Sequence, residues 1–303
     1  MAVRRIALSG GKILMSETEE KFEERRSTDR GLRRLHRQVV REIGGRKSGN
    51  WDFFVPEFRV GAAYLKNSPE WLQKGEVLWK TRHKLVVKIS LPASAGGGEI
   101  VCKSVVPKRS FFLGWSTAWR EAVNYRLLAR AGFPMAELLG VGEERRFFCL
   151  KRAFLITRFA AGCCDGRVFE AGESGDSPAD RDDFVRSSLR QLAGMHDLNY
   201  FHKGFKPYNI LWSKPSEEAR SIRLVLIDVA TGRLVSRLRL AGCVRCDLGD
   251  FLEQLGLTRE QIADYVRFYR ECRQRFRPPE KLAEQLMTLL AKRERRGKGK
   301  RRM

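Results

Sequence analysis

Residues 202–209 read H-K-G-F-K-P-Y-N, and this short polar loop lies between two apolar parts of the chain. Nineteen residues after Asn209, the apolar run L-V-L-I-D ends in Asp228. A strand that ends in a carboxylate presents that group beside the amide of Asn209, and both groups offer the oxygen ligands that Mg²⁺ prefers. The two segments therefore indicate a magnesium site where a loop meets the end of a strand.

The loop resembles the protein-kinase catalytic loop H-R-D-L-K-P-x-N, in which the Asp accepts the substrate hydroxyl proton and the Asn holds magnesium. Asn209 occupies the position of the metal ligand, but Gly204 stands in place of the Asp. Lys206 matches a lysine that points toward the γ-phosphate and would neutralise charge on the transferred group. His202 is expected to pack and to form hydrogen bonds that hold the loop, rather than to act as a base. The resemblance implies a catalytic set of Lys206, Asn209 and Asp228, with magnesium on the last two.

Two further charged residues occur in the order that the same pattern requires. Lys103 lies in the β-rich run I-V-C-K-S-V, and Glu121 follows 18 residues later in the helical segment W-R-E-A-V-N-Y. In protein kinases, a lysine on the third strand pairs with a glutamate on the next helix and holds the α- and β-phosphates of ATP. For each residue alone, an ordinary surface charge is the more common explanation. Together with Asn209 and Asp228, the ordered set favours nucleotide binding by Lys103 and Glu121.

The glycine-rich phosphate loop of that pattern is missing. No G-x-G-x-x-G occurs between residues 71 and 103, where the first turn reads K-T-R-H-K. The glycines at 96–98 come directly before the strand of Lys103, and we interpret them as a hairpin turn rather than a phosphate cradle.

The order of secondary structure predicts an α+β fold with two lobes. Three short β-rich runs, a helix and two more strands predict a five-stranded antiparallel sheet plus one helix in the first lobe. The second lobe is predicted to be a shortened helical lobe, and a T-x-x-Q capping box at Thr258 opens one of its last helices. The predicted parts are a charged, partly disordered extension with a marginal helix or two (1–50), the N-lobe (51–159), the C-lobe (160–291) and a disordered basic tail (292–303).

The formal net charge of +23 is concentrated at the two ends of the chain. Residues 1–50 carry 13 Lys and Arg against 7 Asp and Glu, and residues 292–302 carry 8 against 1. A basic arm such as the tail suits an anionic surface, whether lipid headgroups, phosphorylated sugars or nucleic acid. The alternative is that the tail serves only for solubility. We expect peripheral contact with an anionic membrane through these basic ends.

Cysteine usage and hydropathy indicate a cytoplasmic protein. The seven cysteines are an odd number and lie mostly in apolar runs, which favours reduced thiols. Cys243 and Cys246 form a C-x-x-C, but no second ligand pair at suitable spacing supports a zinc site. No run reaches the roughly 18 consecutive apolar residues that cross a bilayer.

Longer segments give a more specific resemblance. The resemblance covers roughly residues 71–275 and rests on five segments in a fixed order. They are the helix A-W-R-E-A-x-N-Y, the segment A-G-F-P-M-A-E-L-L-G-V-G-E, L-I-T-R-F, the loop of residues 202–209 with its flanks, and V-R-C-D-L-G-D-F-L. In this order they resemble the lipopolysaccharide kinase (Kdo/WaaP) family, whose members phosphorylate sugars of the lipopolysaccharide inner core. The resemblance implies ATP and magnesium as cofactors, a sugar or glycolipid acceptor, and Asp247 as the structural aspartate that braces the catalytic loop.

Three functions remain open at this point, as do the acceptor and the oligomeric state. The first is an ATP- and magnesium-dependent phosphotransferase acting on a lipopolysaccharide core sugar or a related glycolipid. The second is a pseudokinase, because Gly204 removes the general base, which is typically worth about 10²- to 10⁴-fold in rate. The third is a nucleic-acid-associated protein, which we rank last because no RNA-binding motif accompanies the basic charge.

Overall fold

A six-stranded antiparallel sheet forms the N-lobe of this computed structural model, with strand order β1-β5-β6-β4-β3-β2. Its strands are β1 (Trp51–Phe54), β2 (Glu76–Lys80), β3 (Lys84–Ser90), β4 (Glu99–Val105), β5 (Leu138–Arg146) and β6 (Cys149–Arg158). The structure describes residues 29–44, 51–67, 70, 74–107, 115–146, 148–170, 177–214, 223–275 and 278–300.

The sheet has one strand more than the five that the sequence predicted. The additional strand, β1, pairs with β5, and Trp51 lies opposite Glu143. W-D-F-F is too short to show a clear alternation, and its partner lies about ninety residues away in sequence. The strand therefore depends on a non-local pairing that local patterns do not reveal.

Strand β4 places Lys103 on the face of the sheet opposite to the one that packs against the small helix α2 (Arg59–Asn67). Its residues alternate between buried and half-buried, and Ile100 and Cys102 join a small core beneath the sheet with Ala62 and Leu65. Helix α3 (Thr117–Arg130) carries Glu121 and packs against β5 and β6. The strand period of two thus directs Lys103 toward α3.

The N-terminal extension contributes a helix to the main core. Helix α1 (Asp29–Ile43) buries Leu32, Val39 and Ile43 in the same cluster as α3. Trp119 on α3 donates its indole N–H to the carbonyl oxygen of Gly44 at 2.6 Å. The predicted helix of the extension therefore exists over residues 29–43 and is packed, whereas residues 1–28 lie outside the described residues.

Helices dominate the C-lobe, as predicted. They are α4 (Pro178–Asp197), α5 (Arg237–Leu252), α6 (Arg259–Cys272) and α7 (Leu282–Lys300), and the short strands are β7 (Cys164–Asp165), β8 (Tyr200–Phe201), β9 (Ile210–Ser213), β10 (Arg223–Leu226) and β11 (Arg233–Leu234). The predicted capping box opens α6: the Thr258 hydroxyl accepts from the Gln261 N–H, and the Gln261 side chain accepts from the Thr258 N–H. No helix in the described part of the chain is long and apolar enough to cross a membrane.

The last helix extends into the segment for which the sequence predicted a disordered arm. Helix α7 continues to Lys300. The guanidinium of Arg293 donates to Asp250 at 2.9 Å and to Glu253 at 2.7 Å, so acidic residues near the end of α5 hold the start of the basic segment. Residues 301–303 lie outside the described residues, and the domain boundaries themselves remain predictions.

The glycines at 96–98 form the predicted turn between β3 and β4. All three have positive φ angles, of 92°, 63° and 83°, which glycine adopts without steric cost. The Leu91 N–H donates to the Gly98 carbonyl at 2.9 Å and closes the hairpin. This confirms the interpretation of the cluster as a hairpin turn.

Candidate functional site

Lys103 and Glu121 form a buried ion pair between the sheet and α3. The Lys103 ammonium lies 2.8 and 2.7 Å from the two Glu121 carboxylate oxygens. Burial raises the pKa of Glu121 and opposes the attraction of Lys103. Burial also disfavours the charged form of Lys103, but Glu121 and Asp228 outweigh it and raise the pKa of the ammonium. The sequence-predicted pair is therefore in contact, with Lys103 positively charged.

Asp228 completes this cluster from the other lobe. One of its carboxylate oxygens accepts from Lys103 at 2.8 Å and the other accepts from Lys84 at 3.2 Å. Burial alone would raise the pKa of Asp228, but Lys103 and Lys84 lower it to about 2. Its φ angle of 54° lies in the left-handed region, which is uncommon outside glycine and recurs at functional sites. Asp228 is thus a fully ionised carboxylate held by two ammonium groups.

Asn209 is hydrogen-bonded through its backbone to Ile227, the residue before Asp228. The backbone carbonyl oxygen of Asn209 accepts from the N–H of Ile227 at 2.9 Å. This bond connects the loop of residues 202–209 to the segment that carries Asp228. Its side-chain amide nitrogen donates to the Gly204 carbonyl at 2.9 Å. This bond uses the nitrogen of the amide, so Oδ1 is the atom that could bind a metal ion.

Asp247 braces the catalytic loop, as the family resemblance implied. It lies fully buried on α5, and its carboxylate accepts from the backbone N–H groups of His202 at 3.0 Å and Lys203 at 2.9 Å. The Nε2 atom of His196 lies 3.2 Å from the same carboxylate. Three groups from two segments therefore depend on one buried side chain.

His202 does not behave entirely as the sequence predicted. Its ring packs edge-on against Phe205 at 5.4 Å between centroids, which agrees with the packing role. Neither ring nitrogen has a hydrogen-bond partner among the described residues, so the expected side-chain hydrogen bonds are wrong. Burial lowers the pKa of the ring and keeps it neutral. The loop is held instead through the backbone N–H of His202.

Gly204 has a backbone that disfavours any side chain. Its φ angle is +143°, and the preceding Lys203 is also in the left-handed region at 56°. The Thr231 hydroxyl donates to the Lys203 carbonyl at 2.8 Å and holds the turn. A Cβ atom at position 204 would meet only Thr231 Oγ1, at 4.0 Å. Space for an Asp exists, and the obstacle is the backbone conformation.

Like the side chain of Asn209, Lys206 has no described contact with the cluster. It precedes the short 3₁₀ helix Pro207–Asn209, and its ammonium lies 5.4 Å from the centroid of the Tyr208 ring. Within the described residues it contacts neither Lys103 nor Asp228 through a hydrogen bond or ion pair.

Lys84 belongs to the cluster, although the sequence analysis missed it. It begins β3 directly after a turn in which the Thr81 N–H donates to the Lys84 carbonyl at 2.8 Å. Lys84 lies opposite Val105 on β4, two residues from Lys103. Because side chains at i and i+2 share a face of a sheet, this register places both lysines on the same face. The register of the second hairpin is the signal that would have revealed it.

Comparison with known proteins agrees with this fold. The sequence profile of the lipopolysaccharide kinase (Kdo/WaaP) family matches residues 101–269. The chain is similar to a solved structure of WaaP in complex with acyl carrier protein, at a TM-score of 0.58 and 19% identity over 81% of this chain and 98% of that chain. This similarity supports the predicted protein-kinase-like fold. No curated protein matches the chain. With more than half of its residues inside the family profile, the chain belongs to the lipopolysaccharide kinase (Kdo/WaaP) family.

Proposed function

We propose that the chain is an ATP- and magnesium-dependent phosphotransferase that acts on a sugar of the lipopolysaccharide core or on a related glycolipid. The observation that carries the proposal is the position of Lys103, which bridges Glu121 of the N-lobe and Asp228 of the C-lobe. Phosphoryl transfer relies mainly on fixed positive charge, metal ions and alignment. This cluster supplies the fixed positive charge, and Asp228 offers a carboxylate for the metal ion.

In this function, Glu121 orients Lys103, and Lys103 binds the α- and β-phosphates. Asp228 and Asn209 would hold magnesium, and their donor set fits the ion, because Asp228 is ionised and Asn209 offers an amide oxygen. Bound magnesium supplies positive charge to the phosphate oxygens. Lys206 neutralises charge on the transferred group when the phosphates occupy the cleft.

The missing base affects the rate rather than the possibility of transfer. The transition state of phosphoryl transfer is loose and resembles metaphosphate, so positioning and charge stabilisation contribute more than proton removal. We expect slow turnover from a site that retains the ammonium groups and the metal ligands but has Gly204 in the loop.

The direct test is transfer of labelled phosphate from ATP with magnesium to lipopolysaccharide core fractions. The matched control is the Lys103→Met/Glu121→Gln variant, in which uncharged side chains of similar size replace the ion pair. Transfer above this control supports the proposal. Absence of transfer to any core fraction, and to the protein itself, would refute it.

Lys84 is expected to contribute to ATP binding in place of the missing glycine loop. Its ammonium already lies beside Asp228, where a β- or γ-phosphate would sit with the metal. A charge-assisted hydrogen bond of this kind is worth about 1.5 to 3 kcal/mol, so Lys84→Ala should raise the KM for ATP by about tenfold or more. Lys80→Ala is the control, because it removes an exposed lysine from the neighbouring strand. If both variants raise the KM equally, the effect comes from the overall positive charge and not from a contact of Lys84 with ATP.

A second candidate function, a nucleotide-binding pseudokinase, is favoured by the backbone of Gly204. Its left-handed conformation shows that the loop is built around glycine and not merely truncated at one side chain. This function predicts that ATP and magnesium raise the thermal stability of the protein while no acceptor is phosphorylated. It also predicts that the ATP effect disappears in the Lys103→Met/Glu121→Gln variant.

Gly204→Asp distinguishes the two functions when it is compared with Gly204→Ala. Both side chains impose backbone strain, which should lower the free energy of unfolding by about 1 to 3 kcal/mol. Only Asp supplies a carboxylate, so the ratio of their turnover rates isolates the contribution of the base. A higher rate for Asp than for Ala is expected if the kinase site lacks only its base. Equal rates would contradict this and favour the pseudokinase.

We further propose a cytoplasmic location with peripheral membrane contact through the basic ends. Each Lys or Arg near an anionic surface contributes about 1 kcal/mol to binding. Residues 292–302 carry 8 Lys and Arg against 1 acidic residue. Sedimentation with phosphatidylglycerol vesicles, compared with phosphatidylcholine vesicles, measures this contact. Binding should fall as salt is raised, because the attraction is electrostatic.

A further inference from the structure

The turn that begins at Asp228, residues 228–232, is held by a side chain of helix α3. The amide nitrogen of Asn124 donates to the carbonyl oxygen of Val229 at 2.7 Å and to that of Gly232 at 3.0 Å. Both partners are acceptors, so the nitrogen and not the oxygen of the amide must face the turn. Asn124 is buried, and its two amide hydrogens are therefore committed to the backbone beside the candidate metal ligand.

One face of α3 contacts Asp228 in three ways. Glu121, Asn124 and Tyr125 are spaced i, i+3 and i+4, so their side chains leave the helix on the same side. Glu121 holds Lys103, which contacts the Asp228 carboxylate. The Tyr125 hydroxyl accepts from the Asp228 backbone N–H at 3.3 Å. The helix thus reaches the side chain of Asp228 through Lys103 and its backbone through Tyr125 and Asn124.

The opposite side of the turn is closed by the catalytic loop and its flank. The Thr231 hydroxyl donates to the Lys203 carbonyl at 2.8 Å. A Cβ atom at Gly232 would lie 1.9 Å from the hydroxyl oxygen of Tyr200, which is fully buried. The backbone of the turn therefore packs directly against this ring, which only glycine allows. The turn has no room to shift away from α3 toward Tyr200.

This support is needed because the backbone of Asp228 is in a sparsely populated conformation. Its φ angle of 54° lies in the left-handed region, and a residue other than glycine stays there only where its surroundings determine it. A return to an ordinary φ would turn the carboxylate away from Lys103 and Lys84, its two partners in the cleft. The bonds from α3 to the turn oppose that change.

We propose that Asn124 is a positioning residue for the metal site, because it fixes the turn of residues 228–232 and thereby aims the Asp228 carboxylate into the cleft. The inference rests on the proposed function, in which Asp228 holds magnesium, and it adds a residue that acts through the backbone rather than on the ion. Groups that orient a metal ligand in this way commonly contribute about 10- to 100-fold to metal affinity. Since Asn124 belongs to the N-lobe, its bonds also join the two halves of the site.

Binding of Mn²⁺ in the presence of saturating ADP, followed by electron paramagnetic resonance, tests the proposal. Asn124→Leu replaces the amide by an apolar side chain of similar volume, so both carbonyl groups lose this donor. We expect the affinity for Mn²⁺ to fall by about tenfold or more. Calorimetric titration with ADP and EDTA should show a much smaller change, because the Lys103–Glu121 pair remains. A purely structural role would not separate metal affinity from nucleotide affinity.

Val123→Ala is the matched control, because Val123 is buried on the same helix and has no polar group to offer the turn. It should leave the affinity for Mn²⁺ unchanged. Equal losses in both variants, or an Asn124→Leu protein that binds Mn²⁺ as tightly as the unmodified chain, would overturn the proposal. If Asn124→Leu does not fold, Asn124→Ser takes its place, since one hydroxyl hydrogen cannot serve two carbonyl groups.

Hydrogen exchange of the nucleotide-free protein distinguishes failure of this inference from failure of the proposed function. Amides of residues 228–232 should exchange faster in Asn124→Leu than in the unmodified protein or in Val123→Ala. If the unmodified protein binds no Mn²⁺ with ADP, the proposed function fails, and this exchange alone decides whether Asn124 holds the turn. Unchanged exchange in the turn contradicts the positioning role, whatever the metal titration shows.

Discussion

Lys103→Met is expected to reduce phosphate transfer by about 10²- to 10³-fold, the usual effect of removing one charge-stabilising donor from an active site. Lys103 is the only side chain in the described cluster that contacts both Glu121 and Asp228, so no neighbour replaces it. Transfer of labelled phosphate from ATP, measured at saturating ATP where this is reachable, reports the loss.

The same substitution should destabilise the fold, and this effect must be separated from the loss of transfer. Removing one partner of a buried pair costs about 3 to 5 kcal/mol, because Glu121 is left buried without its counter-ion. Glu121→Gln in the same chain removes that charge and should restore much of the free energy of unfolding in urea. Transfer should stay low in the double variant. Recovery of transfer along with stability would contradict a role for Lys103 in phosphate binding.

Asp247→Ala is expected to destabilise the C-lobe as strongly as the loss of a large buried apolar side chain. The change leaves the buried N–H of His202 and the N–H of Lys203 without an acceptor, and it removes the partner of His196. Each unsatisfied buried group costs about 1 to 3 kcal/mol, so the free energy of unfolding should fall by about 3 to 5 kcal/mol. Urea denaturation followed by tryptophan fluorescence measures the change.

Asp250→Ala is the control for this experiment. Asp250 lies three residues later on the same helix, where it forms a partly buried pair with Arg293. Because Arg293 keeps Glu253 as a second partner, the loss of Asp250 should cost about 1 kcal/mol or less. Hydrogen exchange adds a local measurement: amides in the catalytic loop should exchange faster in Asp247→Ala but not in Asp250→Ala. Similar losses in both variants would show that Asp247 has no special role in the loop.

The parts of the site that were predictable from sequence are those with a fixed position in a regular element. Each of three residues occurs in a local pattern: Lys103 on a strand, Glu121 on the next helix and Asp228 at a strand end. The structure brings Lys103 into contact with the other two. The capping box at Thr258 is equally local. Lys84 was missed because its position depends on the register between two hairpins, which no single segment specifies. Strand β1 was missed for the same reason, since its partner is distant in sequence.

Backbone conformation and unsatisfied polar groups were beyond the sequence. The sequence shows that Gly204 stands where the kinase pattern has an Asp, but it does not show that the φ angle of this residue is +143°. The ring of His202 was expected to form hydrogen bonds, yet it packs against Phe205 and its nitrogens have no partner among the described residues. These features arise from packing between segments that are far apart in the sequence.

The conformation of Gly204 also has an evolutionary consequence. A single codon change to Asp would place a side chain on a backbone that only glycine adopts readily, so the first mutant would be less stable than its parent. The hydrogen bond between Thr231 and the Lys203 carbonyl reinforces that backbone, so a change at Thr231 would ease the acceptance of an Asp. This cost in stability disfavours the change from glycine to Asp, so descendants of the chain should retain glycine whatever their activity.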